Sequence, residues 1–184
     1  MVEIWKHALI VDDVSMSSKI SKCLRGKILS GTFFELIKFS LKTKKRFVEI
    51  DYGDRKGMHK ALSLGHTFAN YLESRFKFRH GQAVFYGIIL EVILSVQFGT
   101  IKQDKFNSIQ QLISLFEKKI ALLHVVQNRI NIDEVINDLK FDKINHGGCF
   151  TFVLLTNKGF CVKSTITDID FRKALTTLIN FIVL

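Results

Sequence analysis

Residues 83–99 read AVFYGIILEVILSVQFG, the longest apolar run in the chain. Glu91 and Gln97 interrupt it, and at seventeen residues it is shorter than the ~20 that a membrane-spanning helix needs. A helix this apolar has to be covered by protein. The run is therefore expected to form a buried central helix, with the other elements around it and no membrane span. The 184 residues suit one domain. Hydrophobic residues make up 47% of them, seventeen Phe included, which is enough for a sizeable core and argues against global disorder. The sequence has no proline. Chains with many sharp loops generally carry some, so long helices with modest connections are favoured.

The formal net charge is +10. A surplus of that size favours anionic partners such as phosphorylated metabolites, nucleic acid or an acidic membrane surface. The lysines are dispersed, and the only tight run is Lys42, Lys44, Lys45 and Arg46. No zinc-finger spacing, aromatic RNA-binding signature or basic zipper accompanies them, so neither nucleic acid nor membrane is expected as a partner. Cys23, Cys149 and Cys161 have no CxxC spacing, which fits a reducing compartment rather than a disulfide framework, and Cys149 and Cys161, flanking a possible hairpin, read as small buried residues. The start, MVEIWKHALIVDD, lacks signal-peptide architecture, and a cytoplasmic location is expected.

Periodicity predicts a helix over residues 2–10, with Glu3, His7 and Ile10 on one face. Asp12, Asp13 and Ser15 then read as a break or a new cap. Residues 15–30 are polar, and Gly26 and Gly31 weaken any long helix there. Helical spacing resumes from Thr32, and DYGDRKG (51–57) reads as a loop. Helices are expected at about 58–78, 82–98, 105–126 and 132–140. FDKINHGG reads as a turn, CFTFVLLT and GFCVKSTI as a hairpin about Asn157-Lys158-Gly159, and the C-terminal stretch as a helix capped by Thr167 or Asp168. The expected fold is mainly α, a helical bundle with a small β-hairpin near the C-terminus, in one domain over 1–184.

Two histidines stand beside glycines: His66 follows Gly65 and His80 precedes Gly81. A catalytic divalent metal commonly takes three protein ligands and keeps an open position. Two imidazoles and a carboxylate make such a set, and glycine lets a backbone approach a ligand closely. Glu3 is a candidate carboxylate, placed on an apolar helix where an unpaired charge is costly. The plainer reading makes each histidine a cap or a satisfied surface group, and spacing alone leaves both open. His7, His59, His124 and His146 offer no better set. Glu91, within its apolar run, reads either as a buried functional acid or, more cheaply, as the residue of a helix that faces solvent once per turn.

Four stretches in order carry a resemblance. LSLGHTFANYLE followed by HGQAVFYGI is similar to the metal-site region of 3-dehydroquinate synthases and other sugar-phosphate cyclases, R-x-x-L-N-x-G-H-S/T-x-x-H-x-x-E and then H-G-E-A-V-x-x-G. VEIWKHALI resembles that family's A-E-V-I-K-H/Y-x-x-I. FDKINHGGCFTFVLLTNKGFCV resembles its D-K-K-x-x-x-G-x-x-x-F-V-L-L segment. Carried over by position, Glu3, His66 and His80 match the three metal ligands, usually of zinc, with cobalt, iron or manganese compatible with the donor set. Lys6 and Lys143 match lysines of the catalytic region. Lys45 lies about where the family has a substrate-binding lysine.

Several positions depart from the pattern. His59 stands where the family has a substrate-gripping arginine, Ser63 replaces the asparagine of L-N-x-G-H, and Asn70 replaces the second histidine. Gln82 replaces the glutamate of H-G-E, and Ile144 the second lysine of D-K-K. Loss of a bidentate arginine clamp weakens carboxylate recognition by ~1.5–3 kcal/mol. The resemblance implies a phosphate-eliminating lyase of the shikimate pathway that acts on a phosphorylated sugar acid with NAD and a metal. NAD would be bound by an N-terminal domain that has no counterpart in this sequence, which lacks a strand-then-GxGxxG unit. The chain alone is thus expected to be incomplete as a catalyst, with a separate NAD-binding domain and a second copy of itself as partners. A cyclase for a different sugar phosphate and a diverged, non-catalytic metal-binding domain are the alternatives.

Overall fold

The computed structural model describes residues 1–27, 30–51, 58–140 and 149–181. Along these run α1 (Val2–Ile10), α2 (Val14–Leu24), α3 (Ser30–Ile50), α4 (Met58–Ala61), α5 (His66–Phe76), α6 (His80–Gln97), α7 (Gln103–Ile120), α8 (Leu123–Arg129), α9 (Ile132–Lys140), β1 (Phe150–Thr156), β2 (Gly159–Ile166) and α10 (Asp168–Ile179). The architecture is the expected one, a helical bundle with one two-stranded antiparallel hairpin near its C-terminal end.

The apolar run is the axis of the bundle. α6 buries every residue from Ala83 to Ser95 and packs against α5, α10, β1, α1 and α7. Among the described residues it is the one helix long and apolar enough to cross a membrane by length and composition, and here its surface is covered by neighbours. Two aromatic clusters fasten it. Trp5, Phe85 and Phe116 join α1, α6 and α7 with ring centroids 5.0–6.2 Å apart. Phe150, Phe152 and Phe171 join the hairpin to α10, with Phe171 4.8 and 5.1 Å from the other two. Each such side chain contributes ~1.5–3 kcal/mol by leaving water.

The local signals for element ends hold where caps were expected. Asp13 accepts the Met16 N–H at 2.9 Å and starts α2. Thr167 and Asp170 exchange hydrogen bonds as a capping box for α10. Thr156 pairs with Gly159, so the hairpin turns through Asn157 and Lys158.

Two expected helices are each divided. The stretch 58–78 breaks at Gly65, whose φ of +82° is left-handed. The stretch 105–126 breaks at Ala121 because α6 reaches across: the Tyr86 hydroxyl donates to Glu117 Oε2 at 2.6 Å and accepts the Leu122 N–H, while Glu117 Oε1 accepts the Leu123 N–H. Those contacts cap α8 with groups from outside it, and the chain turns to meet them. Gly31, expected to weaken a helix, sits inside the first turn of α3. Cys23 is buried, but Cys149 and Cys161 are part-exposed rather than buried, Cys161 lying on a two-stranded sheet with one open face. Residues 52–57 of the expected loop and the expected turn FDKINHGG (141–148) lie outside the described residues.

Candidate metal centre

The first turn of α1 and the first residues of α5 and α6 meet at one end of the bundle. Glu3, His66 and His80 each offer a donor atom there, all within 4.8 Å of one another. An equilateral triangle of that edge has its centre about 2.8 Å from each corner, so closing on a cation at the ~2.0–2.2 Å of zinc–nitrogen and zinc–oxygen bonds takes under ~1 Å per ligand.

Hydrogen bonds fix what each donor presents. His66 Nδ1 lies 3.2 Å from the Leu64 carbonyl, which can only accept, so Nδ1 carries the proton and Nε2 keeps its lone pair. His80 Nδ1 lies 2.9 Å from Glu73 Oε1, and the carboxylate imposes the same tautomer. His80 Nε2 then faces Glu3 Oε1 at 3.7 Å. Glu3 Oε1 is buried and has no hydrogen-bond partner, while its Oε2 takes the Lys6 ammonium at 2.8 Å. Acceptors facing a partnerless carboxylate oxygen repel one another unless a cation lies between them.

The protonation states agree with ligation. Burial, and then the Lys6 charge, holds His66 below the usual imidazole range. Burial pushes the Glu3 carboxyl up, but the Lys6 ammonium more than offsets this and leaves it below the usual range. Neutral imidazole and carboxylate are the forms that bind metal. Burial lowers Lys6 itself, with Glu3 pulling it back up; its ammonium also donates to the Leu62 carbonyl at 2.7 Å.

The other expected site residues are distributed differently. Lys45 is exposed and pairs with Glu49 on its own helix at 3.5 Å. The charge of the neighbouring Lys44 acts on both Lys6 and His7. The reason is helix phase: His7 Nδ1 meets Ser40 Oγ at 2.7 Å, Lys44 stands one turn after Ser40, and Lys45 points a further ~100° round. His59 is half-buried with Nε2 3.5 Å from the Val48 carbonyl, and the Ser63 hydroxyl donates to the Lys60 carbonyl at 2.6 Å. Asn70 is exposed on α5, and Lys143 lies outside the described residues.

Two expectations about individual residues fail outright. Glu91 does not face solvent: it is 1% exposed. The glycines do not open the backbone to a ligand either. A Cβ on Gly65 would strike Val84 O at 2.8 Å, so that glycine lets two helices touch, and a Cβ on Gly81 would meet nothing. Glu73, which sits 2.9 Å from His80 Nδ1, is the final glutamate of the G-H-S/T-x-x-H-x-x-E pattern, and that match is the sequence signal for it.

His7 yields a pH prediction. It is 4% exposed, and burial, helped by the Lys6 charge, lowers it from 6.5 to about 4. The unfolded chain therefore binds more protons below pH 6.5, so stability is full above 6.5 and falls as pH drops towards 4. One histidine accounts for about 3 kcal/mol over that window, and His66 acts in the same direction. Urea unfolding of metal-free protein at pH 7.5 and 4.5 should show a clearly smaller loss for His7→Asn than for wild type; equal losses would refute the assignment.

Known proteins are similar to this chain in sequence or in fold. The profile of the family described as 3-dehydroquinate synthase C-terminal matches residues 1–145. A bifunctional 3-dehydroquinate synthase/phosphatase of Fusobacterium nucleatum is 29% identical over 178 residues, 94% of this chain and 26% of that protein. The 3-dehydroquinate synthase of Staphylococcus haemolyticus is 30% identical over 162 residues, 85% of this chain and 43% of that enzyme. A solved 2-epi-5-epi-valiolone synthase from Streptomyces hygroscopicus subsp. jinggangensis, with NAD+ and Zn2+ bound, superposes with a TM-score of 0.77 at 17% identity, over 97% of this chain and 50% of that one. The chain thus spans half or less of the length of these relatives. With the profile covering most of its length, the chain belongs to the 3-dehydroquinate synthase C-terminal family.

Proposed function

We propose that this chain is the metal-holding domain of a sugar-phosphate cyclase, a phosphate-eliminating carbon–oxygen lyase acting on a phosphorylated sugar acid, with Glu3, His66 and His80 as metal ligands. The observation that carries it is the buried, partnerless Glu3 Oε1 facing imidazoles whose proton positions are already set. Zinc suits two nitrogens and one oxygen, and the solved neighbour's Zn2+ supports that choice. The metal when bound supplies Lewis acidity towards substrate oxygens, and NAD a reversible hydride acceptor.

The chain's own residues hold and orient. Lys6 neutralises Glu3 and keeps it ionised. Lys44 adds positive charge beside the centre, where a phosphate or carboxylate would be drawn in, and Lys143 is proposed to act with it. His59, Ser63 and Asn70 are proposed to line the substrate's path. The only sheet among the described residues is a two-stranded hairpin, so NAD is assigned to a further unit, on a longer chain or a separate polypeptide. A cytoplasmic location and a homodimer complete the proposal. A second reading, a cyclase for a different sugar phosphate, is favoured by His59: it stands at the arginine position of the family pattern and turns to the Val48 carbonyl.

The test combines the purified chain with the NAD-binding half of a related synthase, zinc, NAD and a panel of sugar-acid phosphates, and follows phosphate release. Release that requires both polypeptides and is lost in His66→Ala supports the proposal, and the preferred substrate separates the two cyclase readings. Stoichiometric metal without release from any substrate would leave a non-catalytic metal-binding domain, and absence of metal uptake would remove the basis of the reading.

A further inference from the structure

His66 leaves a turn that needs outside support. Gly65, at φ +82°, is the N-cap of α5 and has no side chain with which to cap it. Its N–H is among the donors that a helix start leaves without a partner inside the helix. The Glu91 carboxyl, reaching over from α6, lies against the Gly65 backbone, whose N–H favours its ionised form against the penalty of burial. Glu91 sits in the middle of the apolar run at 1% exposure, and its Oε2 is buried without a partner. An aliphatic side chain would be far cheaper there. One turn earlier on α6, Gly87 lies so close to Gly65 that a Cβ would come within 1.8 Å of the Gly65 carbonyl oxygen. Gly87 and Glu91 thus form a two-point cradle: one position admits the turn and the other ties it down.

We propose that Glu91 is a positioning residue for the metal centre, holding the Gly65 turn so that His66 keeps its Nδ1–H on Leu64 and aims Nε2 at Glu3 and His80. This rests on the reading of Glu3, His66 and His80 as metal ligands. Burial holds the Glu91 carboxyl well above the usual carboxylate range, so glutamine closely mimics its acid form, whereas methionine fills the space without accepting a hydrogen bond.

The experiment compares wild type, Glu91→Gln and Glu91→Met. Hydrogen exchange of the Gly65 amide and the His66 tautomer are read by NMR on metal-free protein, and cobalt is then titrated and followed by absorption. In Glu91→Met the Gly65 amide should exchange about tenfold faster or more, both His66 tautomers should appear, and cobalt affinity should fall ~10–100-fold. Glu91→Gln should stay within about threefold of wild type throughout. A methionine variant that matches wild type, or a glutamine variant as impaired as the methionine one, overturns the proposal. If Glu91→Met does not fold, the wild-type Gly65 amide decides together with Glu91→Gln: exchange at the rate of an exposed amide overturns the proposal, and protection kept by glutamine supports it. A wild-type chain that takes no cobalt but shows the Gly65 and His66 effects overturns the metal reading and supports the positioning of the turn.

Discussion

Gly87→Ala is expected to destabilise the protein severely, by ~4 kcal/mol or more. In the interior of a helix this exchange ordinarily stabilises, by up to ~1 kcal/mol, because alanine is the better helix former. Here a Cβ would lie 1.8 Å from the Gly65 carbonyl oxygen, 2.6 Å from its carbon and 2.9 Å from its Cα. All three are backbone atoms, so no flexible side chain can swing away. Relief requires α5 and α6 to separate by more than an ångström along a fully buried contact, which would open gaps among Leu64, Phe68, Val84 and Ile88, each at 0% exposure. Overpacking and the resulting voids together cost ~4 kcal/mol or more, against a total of ~5–15 kcal/mol for a domain of this kind. Gly31→Ala is the control: it lies in α3 with nothing within 4 Å of a Cβ, and it should be neutral or stabilising by ~0.5–1 kcal/mol. Thermal melts followed by circular dichroism separate the two. A Gly87→Ala protein melting within a few degrees of wild type would show that the α5–α6 crossing is much looser than described.

That contact shows what a linear reading can and cannot reach. Periodicity, apolar length and caps are local, and from them the central helix, the hairpin and the starts of α2 and α10 were legible. That Glu3, His66 and His80 come together was legible as well, through the family resemblance of motifs that stand in order along the sequence. The failures share one physical origin, which is closure between distant segments. Ala121 ends α7 because Tyr86, 35 residues earlier, captures the next amide. Gly65 was read as admitting a ligand when it admits a helix. Glu91 reads more cheaply as an exposed residue on an apolar helix because the backbone it lies against, at Gly65, is 26 residues away in sequence. The phase of α3 against α1 is set by the Ser40–His7 contact, which no local pattern encodes.

Changing any one of Glu3, His66 or His80 should weaken zinc or cobalt binding by at least ~100-fold, more than the ~10–100-fold typical of residues that only orient a ligand. Glu73→Gln belongs to that milder class, since it loosens the hold on His80 Nδ1 without removing a donor atom. The substitutions Glu3→Gln, His66→Ala and His80→Ala remove donors from part-exposed positions at helix starts, so the metal-free variants should melt close to metal-free wild type. Linkage gives a second readout. Metal at 100 times its dissociation constant adds ~2.7 kcal/mol to the folded state, so zinc should raise the melting temperature of wild type and leave those of the three donor variants nearly unmoved. Protons compete with the metal in a definite order. Burial and the Lys6 charge hold His66 below the usual imidazole range, and Lys6 holds Glu3 below the usual carboxylate range. These two ligands therefore stay deprotonated at neutral pH, and their protons oppose binding only below about pH 6.5. Lys6→Met should move that threshold upward for Glu3, whose carboxyl would keep the penalty of burial and lose the cation that offsets it. A zinc-induced rise in melting temperature equal in wild type and in all three donor variants would mean that the metal binds elsewhere, and that the convergence of Glu3, His66 and His80 is an ordinary polar cluster at the helix ends.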